Sequence, residues 1–315
     1  MVSHQVSRHK SVLLKEVLEL LDIQVDDVLV DGTINGGGHS LAFAEKLSEK
    51  GTLIGIDLDP KALAVSQERL AKFSCHKYFI EGNFRDIDKH LKGIGIKKVD
   101  KFFLDLGWSS NQFEDAKRGF SFQKDGPLLM TLSGKDEGLT FTARDIVNDW
   151  GEDSLVEIFQ SYGEERFAKR IAKRILIARE KKAIETTREL AQIIEDAVPL
   201  AYRRRKIHPA TKVFQALRIT VNDEIEALKE FLDKSFPLLQ TGGRMAIISF
   251  HSIEDRIVKH FFREKEKEGL AQRINKKPIV ASFEELRENP RSRSAKLRII
   301  QKISKENYET ENLKK

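Results

Sequence analysis

The chain has 315 residues, 40% of them apolar and 33% charged, an ordinary balance for a soluble globular protein of two domains or of one carrying an insertion. One cysteine, Cys75, excludes an internal disulfide framework and a cysteine-based zinc site, and no metal is expected. No apolar run approaches the roughly 18 residues of a membrane span, and the polar start Met1–Lys10 lacks the core of a secretory signal, so the expectation is a cytoplasmic chain. The formal charge is 55 − 49 = +6, but Tyr162–Lys212 alone holds 14 Lys/Arg against 7 Asp/Glu, or +7, which leaves −1 elsewhere. Such a lobe reads either as a polyanion-binding surface or as helices with solvated charges.

In chain order, Ser11–Leu21 has apolar residues at helical spacing and Val28–Asp31 reads as a short buried strand, broken by Gly32 and the run Gly36-Gly37-Gly38. Ser40–Glu49 is helical, Thr52–Asp57 is a second strand, and Pro60 opens the next helix where its missing donor is harmless. Tyr78–Ile80 and Lys101–Asp105 continue the alternation, which predicts a parallel sheet with helices on both faces. From Gly107 to about Asn222 only helical periodicity remains, in Leu155–Arg179 and from Thr186, whose partner Glu189 makes a capping box, to near Pro199. A helix from Asp223, with Glu226 as a second capping box, leads back to strands at Gly242–Phe250 and Lys296–Ile303. The reading is one α/β domain, 1–109 and 216–315, interrupted by a basic, mostly helical insertion, 110–215.

Three carboxylates end strands: Asp31 the first, Asp57 the second and Asp105 the fourth. Strand C-termini line the ligand crevice of an open parallel sheet, and an acid after strand two suits ribose hydroxyls. A nicotinamide enzyme would share that acid but would need Gly-x-Gly-x-x-Gly under a pyrophosphate. Here the run is Asp31-Gly-Thr-Ile-Asn-Gly-Gly-Gly-His39, with an acid at its head that would repel phosphate and attract an amino group. The ligand that joins a ribose to a cationic amino-acid tail without phosphate is S-adenosylmethionine.

Ordered blocks extend the pattern from His9 to about Lys302: Gly55-Ile-Asp-Leu-Asp-Pro60, Asn83-Phe84, Asp105-Leu-Gly-Trp-Ser-Ser-Asn-Gln112, Arg118-Gly-Phe-Ser-Phe122, Asp125-Gly-Pro127, Tyr162-Gly-Glu-Glu-Arg166, His208–Arg218, Ile248–Arg256 and Asn289–Arg298. In these blocks the chain resembles the bacterial small-subunit ribosomal RNA cytosine-N4 methyltransferase family (MraW-type). The resemblance implies a Rossmann-like class I S-adenosylmethionine-dependent methyltransferase sheet with an inserted helical domain that recognises RNA. It implies cofactor binding by Gly37, Gly38, His39, Asp57, Phe84, Asp105 and Gln112, with methylation of a cytidine in the decoding region. The small ribosomal subunit would be the partner, DNA would not, and the enzyme would be a monomer or homodimer.

Cytosine's exocyclic amine is a poor nucleophile because its lone pair is delocalised into the ring. Asp105 and the Gly107–Ser110 backbone, with Ser109, are the candidates to accept its N–H bonds. Trp108, which replaces a smaller aliphatic, either stacks on an extruded base or packs. His251 either orients the target base or acts on its proton, or else caps the helix after it or bonds to Glu254 or Asp255. Arg203-Arg204-Arg205-Lys206 and Arg291 with Arg293 read as phosphate contacts or as solvated loops. Chemistry at ring carbon 5 would need a cysteine in the cleft, and Cys75 lies before strand three. DNA amine methyltransferases carry Pro-Pro-aromatic where this chain has Leu106-Gly107-Trp108. Asn35 stands where the family more often has another residue. Leu129-Met-Thr-Leu-Ser133 replaces Asp-Met-Arg-Met-Asp, which would suit a non-catalytic ribosome-assembly factor if those charges met RNA or ordered a lid.

Overall fold

The computed structural model describes residues 10–107, 115–132 and 141–304. Trp108, Ser109 and Gln112, with Ser133, lie outside the described residues. The chain divides into two compact units, 1–107 with 226–315, and 108–225.

The first unit carries a seven-stranded sheet in the order β3-β2-β1-β4-β5-β7-β6. Its strands are β1 (Val28–Asp31), β2 (Thr52–Asp57), β3 (His76–Glu81), β4 (Val99–Asp105), β5 (Leu239–Ser249), β6 (Ala271–Arg273) and β7 (Lys296–Lys302). β3, β2, β1, β4 and β5 are parallel, as the strand–helix alternation predicts, whereas β7 runs antiparallel to both β5 and β6. β6 escapes sequence reading because three residues, two of them polar, give no periodicity.

Alternation along the strands feeds two cores, because successive side chains point to opposite faces. Leu29, Leu53, Phe103 and Ile248 join one core, which α1 (Leu14–Leu21), α2 (Gly38–Ala44) and α3 (Pro60–Leu70) also enter. Val30, Ile54, Phe102, Leu104 and Ile247 join the other, with α4 (Ile87–Gly93). The strand order reverses at β1, whose neighbours β2 and β4 continue in opposite directions, and this is where an open α/β sheet leaves a crevice beyond its C-terminal edge. Asp31, Asp57 and Asp105 are the last residues of these three strands.

The second unit is helical: α5 (Ala143–Asp149), α6 (Glu152–Ser161), α7 (Ala168–Arg179), α8 (Thr187–Ala197), α9 (Leu200–Arg203) and α10 (Ala210–Asn222). The Thr186–Glu189 capping box is formed. The stretch Leu155–Arg179 is two helices, not one. Gly163 sits between them so closely packed that a Cβ there would come 2.7 Å from the carbonyls of Lys212 and Phe159, and Glu164 takes a positive φ of 48°.

The return to the first unit falls after Ile225 rather than at residue 216. The reason is that α10 buries Ala210, Val213, Phe214, Ala216, Leu217 and Val221 together in the second unit's own core. Asp223 closes α10 with a φ of 50°, and α11 (Glu224–Leu238) follows from the next residue, with Glu226 accepting from Lys229 Nζ at 2.6 Å.

The departure at 129–133 falls inside this core as far as it is described. Met130 and Thr131 are 1% and 2% exposed, and Asn222 holds the segment by donating to the Met130 carbonyl at 2.8 Å and accepting from the Leu132 amide at 2.9 Å. An arginine at position 131 would bury its guanidinium and would need a partner for it there. Among the described residues no helix is long and apolar enough to cross a membrane.

Candidate active site

The loop from Asp31 to Ser40 is held by its own short polar side chains. Asp31 is 1% exposed, and its carboxylate accepts from Ser40 Oγ at 2.6 Å and from the Thr33 amide at 3.2 Å. Asn35 and Gly37 take φ of 49° and 73°, a conformation open to glycine and tolerated by asparagine, which explains why Asn35 is accepted here. Ser66 of α3 donates from Oγ to the Asn35 carbonyl at 2.6 Å, and Arg69 donates to the Gly36 carbonyl. A Cβ on Gly36 would meet only the Arg69 guanidinium, at 3.7 Å, so there is open space beside this residue.

Asp57 accepts from the Asn35 amide at 2.8 Å and from the Asp59 amide at 2.9 Å. It therefore ties the glycine loop to the end of β2 and sets the turn into α3. Replacing it with alanine frees both amides. Asp57→Ala is expected to weaken cofactor binding about 30- to 1000-fold, the equivalent of roughly 2–4 kcal/mol for two charge-assisted bonds. Titration calorimetry with S-adenosylmethionine checks this, and unchanged affinity would remove Asp57 from the site.

Asp105 donates its backbone amide to Thr33 Oγ1 at 2.7 Å, while its Oδ1 accepts from the Gly107 amide at 3.1 Å. Gly107 is required by proximity: a Cβ there would lie 2.7 Å from the Phe250 ring and 3.0 Å from Asp105 Oδ1. His39 is buried, its Nε2 2.9 Å from the Val12 carbonyl and its Nδ1 3.8 Å from Asp105 Oδ2. A carbonyl partner assigns the proton to Nε2, and burial lowers the imidazole pKa, so the ring is neutral with the Nδ1 lone pair on the Asp105 side. Burial raises Asp31 to about 7, with the charges of Asp105 and Asp57 adding to the rise. The three acids thus share one field.

Gly37, Gly38, His39, Asp57 and Asp105 converge at this edge. Phe84 lies beside Gly32, where a Cβ would come 3.4 Å from its own Cβ, and its ring packs edge-on against Phe231 at 5.6 Å. His251 is the N-cap of α12 (Ser252–Lys267): its Nδ1 accepts from the Glu254 amide at 3.3 Å in a capping box, and Nε2 lies 3.0 Å from Glu254 Oε1. Asp255 instead pairs with Arg298 at 2.7 Å. Arg291 and Arg293 are exposed on a short 3-10 turn, Pro290–Ser294. Arg204, Arg205 and Lys206 are exposed, whereas Arg203 is half-buried, donates to the Val198 carbonyl at 3.2 Å and lies 3.7 Å from Asp196. Thr33, Ser40 and Ser66 were not singled out by sequence reading. Thr33 stands inside the glycine run and Ser40 directly follows it, where their hydroxyls are open to notice, but Ser66 carries no signal in its helix.

A field of three carboxylates beside a glycine loop accepts a cation and rejects a pyrophosphate. S-adenosylmethionine fits it, with a sulfonium and an ammonium group and no phosphate. The sheet order, the antiparallel seventh strand and this loop define a class I S-adenosylmethionine-dependent methyltransferase.

A family model described as the MraW methylase family matches residues 6–303, and the chain belongs to that family. It is 45% identical to "Ribosomal RNA small subunit methyltransferase H" of Syntrophotalea carbinolica over 96% of this chain and 100% of that one. The protein of the same name from Clostridioides difficile is 43% identical over 94% of this chain and 99% of the relative. Among solved structures, an rRNA methylase from Streptococcus thermophilus matches with a TM-score of 0.45 at 10% identity, covering 95% of this chain and all of that one. S-adenosylmethionine is the methyl donor.

Proposed function

We propose that this enzyme methylates the exocyclic N4 amine of a cytidine in the decoding region of small-subunit ribosomal RNA, acting on the assembled subunit in the cytoplasm. The names of the curated relatives, at 43–45% identity over nearly full length, support the RNA class. The observation that carries the chemistry is Asp105, held at the end of β4 by Thr33 and Gly107 next to the glycine loop. The bound cofactor supplies an electrophilic methyl group on a sulfonium. Asp105 accepts a hydrogen bond from the cytosine amine, localises its lone pair for in-line attack and takes up the N–H proton that must leave. Positioning supplies the rest of the rate. The Asp57 carboxylate receives the ribose hydroxyls, and Phe84 packs by the adenine. His251 serves the reaction indirectly, by starting α12 at the cleft edge of β5. The unit 108–225, with its basic stretch, recognises RNA, and its phosphate contacts orient the substrate without reading its sequence.

Labelled methyl transfer to undermethylated small subunits, with naked ribosomal RNA and DNA in parallel and product nucleosides separated, tests this reading. Label in N4-methylcytidine from the subunit is expected. Label in another nucleoside would retain the methyltransferase and overturn the proposed target.

A further inference from the structure

The second unit presents a cluster of cations that its own carboxylates do not neutralise. Phe167, the residue before α7, meets Tyr202 of α9 edge-to-face at 4.8 Å. Tyr202 donates its hydroxyl to Glu165 Oε2 at 2.7 Å, while Glu165 Oε1 accepts from the Phe167 amide at 2.7 Å. Glu165 is 1% exposed, so this carboxylate is spent on locking the two rings together. Over that aromatic pair lie three guanidiniums: Arg166 at 4.6 Å and Arg170 at 5.9 Å from the Phe167 ring, and Arg205 at 5.0 Å from the Tyr202 ring.

All three arginines are exposed, and among the described residues none is in an ion pair. Three other cations of the same unit differ. Arg144 pairs with Glu185 at 2.6 Å, Lys182 with Glu189 at 2.7 Å, and Arg203 lies 3.7 Å from Asp196. A guanidinium resting on a ring face is fixed in space yet keeps its in-plane N–H donors, the arrangement that receives a phosphate in two-point contact.

We infer that Arg166, Arg170 and Arg205, mounted on the Phe167–Tyr202 pair, form an RNA-phosphate docking surface, and that Arg203 does not belong to it. The inference rests on the RNA reading above and names the surface that serves it. A phosphate backbone is favoured over a small anion because the donors are spread over three side chains on two segments, 166–170 and 205, within a stretch carrying +7.

The test uses the full chain and an unmodified transcript of the decoding region, titrated across a salt series. Replacing all three arginines with glutamine is expected to weaken binding about a hundredfold at 0.15 M salt and to lower the slope of log affinity against log salt by about 2–3. The triple lysine variant keeps the charge and is expected to keep the slope while losing part of the affinity. Arg144→Gln with Lys182→Gln, two already neutralised cations, is the control and is expected to leave both quantities unchanged. The thermal shift on adding S-adenosylmethionine reports that each variant is folded. Unchanged RNA affinity in the glutamine variant overturns the surface, as does an equal loss in the control. Binding to anionic vesicles instead of RNA, lost in the same variant, overturns it in favour of a membrane partner. The two proposals fail separately. Binding through these arginines without methyl transfer leaves the surface and removes the reaction, and transfer with an unchanged salt slope does the reverse.

Discussion

Asp105→Asn is expected to lower kcat about 10²- to 10⁴-fold, the usual span for losing a positioned proton acceptor, while leaving the thermal midpoint within a few degrees of the parent. The amide is isosteric and can still accept from the Gly107 amide, and the backbone bond to Thr33 does not involve the side chain. What it loses is the negative charge that stabilises the developing positive charge on the amine, and the capacity to take its proton. Single-turnover transfer with saturating cofactor separates this from weaker binding. A kcat within threefold of the parent would remove Asp105 from the chemistry. Thr33→Val offers a milder comparison, since it keeps the carboxylate and removes only the acceptor that holds the Asp105 amide.

The second large effect concerns Asp31 and pH. Burial raises this carboxyl from 3.8 to about 7, against the lowering influence of its bonds from Ser40 and Thr33. Between those two values the folded chain holds a proton that the unfolded chain has released, so this group's contribution to stability is fully present below pH 3.8. It is lost as pH rises towards 7, by at most about 4 kcal/mol for roughly three pKa units. Asp31→Asn removes that dependence. Its urea midpoint is expected to exceed the parent's at pH 8 and to match it near pH 4.

Cofactor binding should show the opposite trend. A cationic ligand favours the ionised acid, so affinity for S-adenosylmethionine rises from pH 6 to 8, and binding near pH 6.5 releases a proton. Burial moves the His39 imidazole in the opposite direction, lowering its pKa. Calorimetry in two buffers of different ionisation enthalpy reads the proton directly. Affinity that is flat over this range with no proton released would mean that Asp31 is already ionised in the free protein.

Local chemistry was legible without coordinates. Val28–Asp31, Thr52–Asp57 and Lys101–Asp105 announce themselves because each is a short apolar run ended by an acid, and strand, turn and helix alternate at close range. The Thr186–Glu189 capping box is four residues long and could be read directly. Periodicity misled where a break is made by packing. Leu155–Arg179 keeps its helical spacing across Gly163, yet the chain turns there because two carbonyls approach where a side chain would sit. The end of the insertion was displaced for a related reason: nothing in the spacing of α10 tells which core its apolar face enters.

Short-range order along the chain specifies the sheet-forming alternation, the glycine loop with its three strand-ending acids, and the surplus of cations between Tyr162 and Lys212. These are properties of residues near one another along the chain. What each charge does depends on the fold. It placed Thr33 under Asp105, 72 residues apart, turned His251 into a helix cap, and buried Thr131. It also tied Arg203 down while leaving Arg166, Arg170 and Arg205 on an aromatic pair assembled from residues 35 apart, Phe167 and Tyr202. Whether a side chain is buried, paired or free to bind depends on neighbours that the fold brings from distant positions, and one-dimensional spacing carries no record of them.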